Sequence, residues 1–135
     1  MPDPNAIITK VSITFVTHDD NKDHDTSVSV DVQNKTNIFL SQDLARLDNF
    51  AGNQELGDKP PSTNTFVLPL ASNNVKVSDL VLPTYTIGIQ PNGHDRWIFD
   101  CTITIAASDQ SQFSTTKRGI ILDQDNKVFS GVFGT

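Results

Sequence analysis

The chain has 135 residues, and a chain of this length can bury about two-thirds of its unfolded surface in one domain without disulfide bonds. Hydrophobic residues make up 36% and charged residues 19%, with 7 Gly and 7 Pro, which excludes a collagen-like, coiled-coil or disordered chain. The chain has 10 Lys and Arg and 16 Asp and Glu, so its formal net charge is −6. Because no cluster of basic residues occurs either, nucleic acid is not an expected partner. We therefore interpret residues 1–135 as one globular domain.

The first third of the chain predicts strands separated by polar connections. Residues 6–17 alternate apolar and polar side chains, which is typical of a half-buried strand. Residues 18–25 contain no apolar side chain and predict a loop. Alternation resumes over residues 26–34, which predict a second strand, and residues 37–41 favour a short third one.

Glycine and proline interrupt residues 42–65, the longest irregular stretch of the sequence. Within it, Leu44, Leu47 and Ala51 lie at helical spacing. This spacing predicts one short helix over residues 43–50.

The remainder predicts five more strands separated by turn residues. They cover residues 66–70, 84–90, 97–107, 112–122 (with a bend) and 127–133, with one helical turn at 78–80 and a tight turn at 108–110. About eight strands and at most one short helix predict an all-β fold, an antiparallel β-sandwich.

Three single residues have simple interpretations. Cys101 excludes an internal disulfide and a cysteine-based zinc site, and we expect it to be a buried apolar residue. Trp97 begins an apolar strand face and is expected in the core, whereas Arg96 has the opposite parity and is expected to face outward.

Targeting features are sparse in this sequence. Residues 1–5 lack the basic and apolar stretches of a secretory signal, and no apolar run is long enough to span a membrane. The compartment is not indicated.

Clustered carboxylates occupy the predicted connections. If successive strands alternate in direction, the connections at 18–25, 42–65, 91–96 and 123–126 lie at the same end of the sandwich. The first of them holds one Lys and four Asp, so its charge is 1 minus 4, or −3, with histidine neutral. Such crowding is repulsive unless solvent or a cation relieves it.

Calcium suits these side chains because it takes about six to eight oxygen ligands at tolerant geometry. The first choices as direct ligands are Asp19, Asp23, Asp25 and Asp95. The further candidates are Asp20, Asn21 and Asn92, with Asp123 and Asp125 as weaker ones.

Two other interpretations of the acidic loop were weighed. Asp19, Asn21 and Asp23 alternate as at the start of an EF-hand loop, but His24 stands where that motif requires glycine and Val30 where it requires glutamate, so an EF-hand is rejected. A solvated hairpin tip without metal is the competing explanation.

Zinc is a minor alternative, because His18, His24 and His94 have no recognised zinc spacing. An enzyme is not expected. The chain has no glycine-rich phosphate loop, no G-x-S-x-G turn and no H-E-x-x-H pair, and nothing in the polar loops would desolvate a catalytic acid.

The pattern resembles a calcium-binding β-sandwich of the C2 or PLAT (lipoxygenase-homology) type. The residues that carry the resemblance are Phe15-Val16-Thr17, the acid-rich loop that follows, Thr26-Ser27-Val28-Ser29-Val30 and the late Trp97-Ile98-Phe99. The resemblance implies a non-catalytic module that uses calcium to engage protein, carbohydrate or a lipid headgroup. Lipid is the weaker expectation, since Lys22 is the only basic residue of the loop.

A second hypothesis comes from a different class of function. It is a metal-free structural or carbohydrate-binding (lectin-like) sandwich that acts through an exposed sheet face or through self-association. A strand over residues 127–133 would offer its edge to another chain if it lay at the border of a sheet.

Overall fold

The computed structural model describes residues 3–17, 27–35, 41–50, 62–72, 74–90 and 96–133. Eight strands are present among them: β1 (Ile8–Thr17), β2 (Ser27–Lys35), β3 (Ser41–Phe50), β4 (Ser62–Leu68), β5 (Pro83–Gln90), β6 (Arg96–Ala107), β7 (Gln112–Asp123) and β8 (Val128–Val132). The helical content of these residues is a single 3₁₀ turn, Val77–Asp79, close to the predicted helical turn. No helix among them has the length and hydropathy of a membrane span.

The strands form two antiparallel four-stranded sheets. Sheet I has the order β4-β1-β6-β7, and sheet II has the order β3-β2-β5-β8. Alternate residues of both sheets enter one hydrophobic core, as the two-residue period predicts. The predicted all-β antiparallel sandwich is confirmed.

Aromatic residues fill the core of sheet I. Trp97 is fully buried and stacks on Phe99 with ring centroids 3.9 Å apart, and Phe15 lies 5.0 Å from Trp97. Cys101 is buried and unpaired, and this burial raises the pKa of its thiol to about 12. The predictions for Trp97 and Cys101 are confirmed, and Arg96 is exposed as expected.

The predicted helix over residues 43–50 is wrong, because these residues belong to β3. Two β-bulges interrupt β3 opposite β2, and the spacing of Leu44 and Leu47 reflects the first of them. Ala51, the third residue of the predicted pattern, lies outside the described residues. At the first bulge Val32 faces Ala45 and Gln33 faces Asp43, so Leu44 is an extra residue that is buried beside Ala45. The third strand thus begins at Ser41, and of the strand predicted over 37–41 only that residue lies in the described part of the chain.

The bend predicted in the strand over 112–122 is also a bulge. Phe99 faces Ile120 and Cys101 faces Lys117, so β7 has one more residue than β6 at this point. Gly119 has a φ of +69°, and its N–H donates a 2.8 Å hydrogen bond to Oδ1 of Asp100. Glycine fits here because a side chain rarely adopts this φ.

The two sides of the sandwich are closed differently. On the side of β3 and β4, Arg46 N–H donates to the Pro69 carbonyl at 3.1 Å and Ala71 N–H donates to the Leu44 carbonyl at 2.9 Å, so the sheets are joined there. On the other side β7 and β8 are edge strands, and no described backbone ladder links them. The sandwich is therefore open on the side of β7 and β8.

Candidate functional site

The seven calcium-ligand candidates of the connections at 18–25 and 91–96 all lie outside the described residues. Asp19, Asp20, Asn21, Asp23 and Asp25 fall within residues 18–26, and Asn92 and Asp95 fall within residues 91–95. The three histidines weighed for zinc fall in the same two segments. The structure instead describes the strand ends to which these segments are attached.

Those strand ends are neighbours in both sheets. In sheet I β1 lies beside β6, with Thr17 opposite Phe99. In sheet II β2 lies beside β5, with Ser27 opposite Gln90. Segment 18–26 runs from β1 to β2, and segment 91–95 runs from β5 to β6. Each segment therefore joins the β1–β6 pair of sheet I to the β2–β5 pair of sheet II. One end of each of β3, β4, β7 and β8 lies here too, so the convergence inferred from strand alternation is confirmed for the attachment points. The bounds predicted for the connection over 42–65 are wrong, because residues 42–50 belong to β3 and residues 62–65 to β4, which leaves residues 51–61 between the two strands.

A buried hydrogen bond lies at the base of this end. The Trp97 indole N–H donates to the Thr17 hydroxyl over 3.0 Å, and neither residue is exposed. It ties the last residue of β1, where segment 18–26 begins, to the start of β6, where segment 91–95 ends. The sequence placed Trp97 in the core, but only the register of the two strands brings Thr17 to its indole nitrogen.

The weaker candidate Asp123 has a structural role in the turn between β7 and β8. Its Oδ1 accepts hydrogen bonds from the N–H groups of Asp125 and Asn126, at 2.9 and 2.8 Å. The Asn126 side chain in turn donates to the Ile121 carbonyl at 3.1 Å. Within the described residues, no group of three or more His, Cys, Asp or Glu side chains is placed to hold a metal ion.

A carboxylate group that sequence reasoning missed lies on the outer face of sheet II. The Gln33 amide donates to Asp31 and to Asp43, both at 3.0 Å. Desolvation, followed by the charge and hydrogen bonding of Asp43, raises the pKa of Asp31 to about 6 despite the opposing effect of Arg46. Asp31 Oδ1 is buried and has no hydrogen-bond partner among the described residues. This carboxyl therefore favours binding a proton in mildly acidic solution.

Hydroxyl side chains form rows across the outer face of sheet I. Thr65, Thr14, Thr102 and Thr116 stand opposite one another on the four strands. The hydroxyl oxygens of Thr14 and Thr65 are 2.9 Å apart, as are those of Thr102 and Thr116. This row of hydroxyl side chains carries no charge, although Val67 on the same face is exposed. The aromatic side chains that the structure describes are buried or half-buried.

The connection from β4 to β5 is held at the opposite end of the sandwich by one buried asparagine. The Asn34 side chain donates to the Asp79 carbonyl at 2.7 Å and accepts from the N–H groups of Val81 and Leu82, at 2.9 and 3.1 Å. Asp79 also accepts from the Lys76 N–H at 2.9 Å, which closes the 3₁₀ turn. Asn34 is unexposed and all its polar atoms are used, so it positions this connection.

A comparison of the chain with protein-family models, curated proteins and solved structures found no match. The resemblance to C2 and PLAT domains remains a prediction from the residues quoted above.

Proposed function

We propose that the protein is a non-catalytic calcium-binding β-sandwich module. The observation that carries the proposal is that segments 18–26 and 91–95, which contain all seven candidate ligands, are attached to the same two pairs of adjacent strands. Carboxylate and amide oxygens from two neighbouring loops are a donor set that calcium accepts. The direct ligands in this proposal are Asp19, Asp23, Asp25 and Asp95.

Electrostatics support the same cation. The first segment has a charge of −3 over residues 18–25, and its neighbour contributes Asp95. A divalent cation between them removes a repulsion that would otherwise oppose folding of this end. The Trp97 to Thr17 hydrogen bond offers a rigid base for the two loops, because it joins strand ends from which both emerge.

Calorimetric titration of the whole chain with calcium tests the proposal, together with thermal unfolding at millimolar calcium. We expect saturable heat and a rise in Tm, since a ligand that binds only the folded state stabilises it. Asp23→Asn and Asp25→Asn should each weaken binding by about tenfold or more.

Asp3→Asn is the matched control, because it removes one negative charge from an exposed residue at the opposite end, where the Asp3 backbone N–H donates to the Asp109 carboxylate at 2.7 Å. It should bind calcium as the unmodified chain does. Absence of both heat and stabilisation would sink the proposal.

The partner of the module is protein, carbohydrate or a lipid headgroup, engaged through the loop end. Lipid is the least favoured, since Lys22 is the only basic residue of segment 18–26 and that segment has no large apolar residue. Comparing candidate proteins, carbohydrates and lipids identifies the class of partner. The true partner should bind only with calcium present and should not bind Asp23→Asn.

The alternative proposal is a metal-free structural or carbohydrate-binding sandwich. The uncharged hydroxyl rows of sheet I favour it, because hydroxyl groups both donate and accept hydrogen bonds with a neutral glycan. It predicts unchanged stability in EDTA and a glycan-array signal that Thr102→Lys abolishes. The edge position of β8 also leaves self-association through strand addition available, which a sizing column at several concentrations tests.

A further inference from the structure

A cavity opens between the two sheets at the end opposite the acidic loops. Its volume is about 410 Å³, and it is lined by Val77, Leu80, Pro83, Phe113, Ser114 and Phe133. These residues come from the β4 to β5 connection, the start of β5, the start of β7 and the residue that follows β8. The cavity therefore lies on the open side of the sandwich, between the edges of β7 and β8.

Hydrogen bonds fix one wall of this cavity. The Asn34 side chain holds the connection that carries Val77 and Leu80 by three hydrogen bonds. Next to it, the Phe133 N–H donates to the Pro83 carbonyl at 2.9 Å and joins the end of β8 to the start of β5. The part of the lining that comes from sheet II and from the β4 to β5 connection is therefore held in place.

The chemistry of the lining is apolar. Five of the six described lining residues are hydrophobic or proline, and none of these six is charged. The sixth, Ser114, is exposed and lies opposite Thr104, on the same outer face of sheet I as Thr102 and Thr116. The volume falls in the range of about 300–1,000 Å³ that is typical of small-molecule sites, which are mostly apolar with few polar groups. Such a lining would reject an ion or a polar peptide, because neither would recover its lost hydration there.

We propose that this cavity binds a small uncharged apolar molecule. Three features of the site point to a small molecule rather than to a macromolecule: its limited volume, the packing of Val77, Leu80, Phe113 and Phe133 against the core, and the absence of charge among its described lining residues. The site is independent of the proposed calcium loops, which lie at the other end of the sandwich.

Titration of the whole chain with 1-aminoanthracene tests the proposal, because this uncharged aromatic amine becomes fluorescent on leaving water. We expect a saturable signal with one probe per chain, displaced by 1-octanol. Val77→Phe places a ring in the cavity and should weaken the probe by about tenfold or more. Val67→Phe is the matched control on the exposed edge of sheet I, where Val67 is 55% exposed, and it should bind the probe normally.

Methyl NMR of the unmodified chain gives a second measurement that needs no variant to fold. Binding at this site should shift the methyl signals of Val77 and Leu80 and leave those of Val67 in place. A lack of saturable binding, equal binding by Val77→Phe, or shifts confined to other methyl groups would overturn the proposal. So would a concentration-dependent dimer that Val77→Phe dissociates, since a second copy would then occupy the cavity.

Repeating the titration in EDTA separates this site from the calcium proposal. We expect the affinity for the probe to stay the same with or without calcium. A signal that disappears in EDTA would overturn the assignment to this cavity, whereas failure of the chain to bind calcium would leave the assignment standing.

Discussion

Trp97 and Thr17 form a hydrogen bond at the end of the core, 3.0 Å from indole nitrogen to hydroxyl oxygen, with both residues unexposed. They are 80 residues apart in sequence, so the bond links the first strand to the sixth. It lies where two loops rich in candidate ligands leave the sandwich. The first prediction concerns this pair.

Thr17→Val keeps the shape of the side chain but leaves the indole N–H without its acceptor. We expect the free energy of unfolding to fall by about 1–3 kcal/mol, the cost of a buried polar group that loses its partner. Thr14→Val is the control, because the Thr14 hydroxyl bonds with Thr65 on the exposed face, where water replaces it. Chemical denaturation measures both variants, and equal losses in the two would contradict the role of this bond.

The raised pKa of Asp31 predicts that the free energy of unfolding depends on pH in an unusual direction for a carboxyl group. Its pKa is raised from 3.8 to about 6, so the folded state binds this proton more tightly than the unfolded state does. The resulting stabilisation is fully present below about pH 4 and is lost as pH rises through 6. Asp31→Asn should therefore remove this loss and raise the Tm at pH 7.

The charged groups around Asp31 define the control. They are Asp43, Arg46 and Asp48, all on β3, while β5 brings no charged residue to it. Asp48→Asn removes a carboxylate that pairs with Arg46 at 2.9 Å on the exposed edge, and we expect it to retain the pH slope. Identical pH profiles of Tm for Asp31→Asn and the unmodified chain would refute the prediction.

Asn34→Ala should destabilise the protein by about 2 kcal/mol or more, because it removes the partners of two N–H groups and one carbonyl at once. Hydrogen exchange should accelerate at the backbone N–H groups of Val81 and Leu82, which donate hydrogen bonds to the Asn34 side-chain oxygen. Asn126→Ala serves as a control in an exposed turn, where a single bond to Ile121 is lost. Unchanged exchange at Val81 and Leu82 would contradict the role of the Asn34 side chain in holding this connection.

Gly131→Ala tests a close contact between β8 and β5. A Cβ at this position would lie 2.4 Å from two atoms of the Tyr85 side chain, closer than any real contact. Because the Tyr85 ring is buried, relief requires a shift of ring or strand, and we expect a loss of about 1–3 kcal/mol. Gly88→Ala is the matched substitution, since its Cβ would meet its neighbours at 3.7 and 3.8 Å. Thermal unfolding compares them, and a neutral Gly131→Ala would contradict the steric argument.

Sequence reasoning succeeded where side-chain parity determines position. The alternation in β6 placed Trp97 and Cys101 inside and Arg96 outside, and the structure agrees. It failed in β3, where Leu44 and Ala45 are both buried in succession. A bulge breaks the two-residue period, and a bulge is determined by the partner strand rather than by the local sequence.

The position of the candidate calcium site was also predictable only in part. Alternating strand direction is sufficient to place the ends of β1, β2, β5 and β6 at the same end of the sandwich, but their adjacency depends on the strand order. Two features were not predictable, because each depends on which strands are neighbours. They are the hydrogen bonds by which Asn34 holds the β4 to β5 connection, and the proximity of the Asp31 and Asp43 carboxyl groups. The inter-sheet cavity was missed for the same reason, because it arises from edges that only the strand order reveals.

The connections also determine how the two sheets are joined. Residues 18–26, 51–61, 91–95 and 124–127 each cross from one sheet to the other at the loop end, whereas only the β4 to β5 connection crosses at the far end. Four connections therefore join the sheets at one end and a single one at the other. That single connection is hydrogen-bonded to both sheets, since the Ile8 N–H donates to the Val75 carbonyl at 2.8 Å and the Asn34 side chain accepts from Val81 and Leu82. The far end thus depends on one hydrogen-bonded connection for the register between its two sheets.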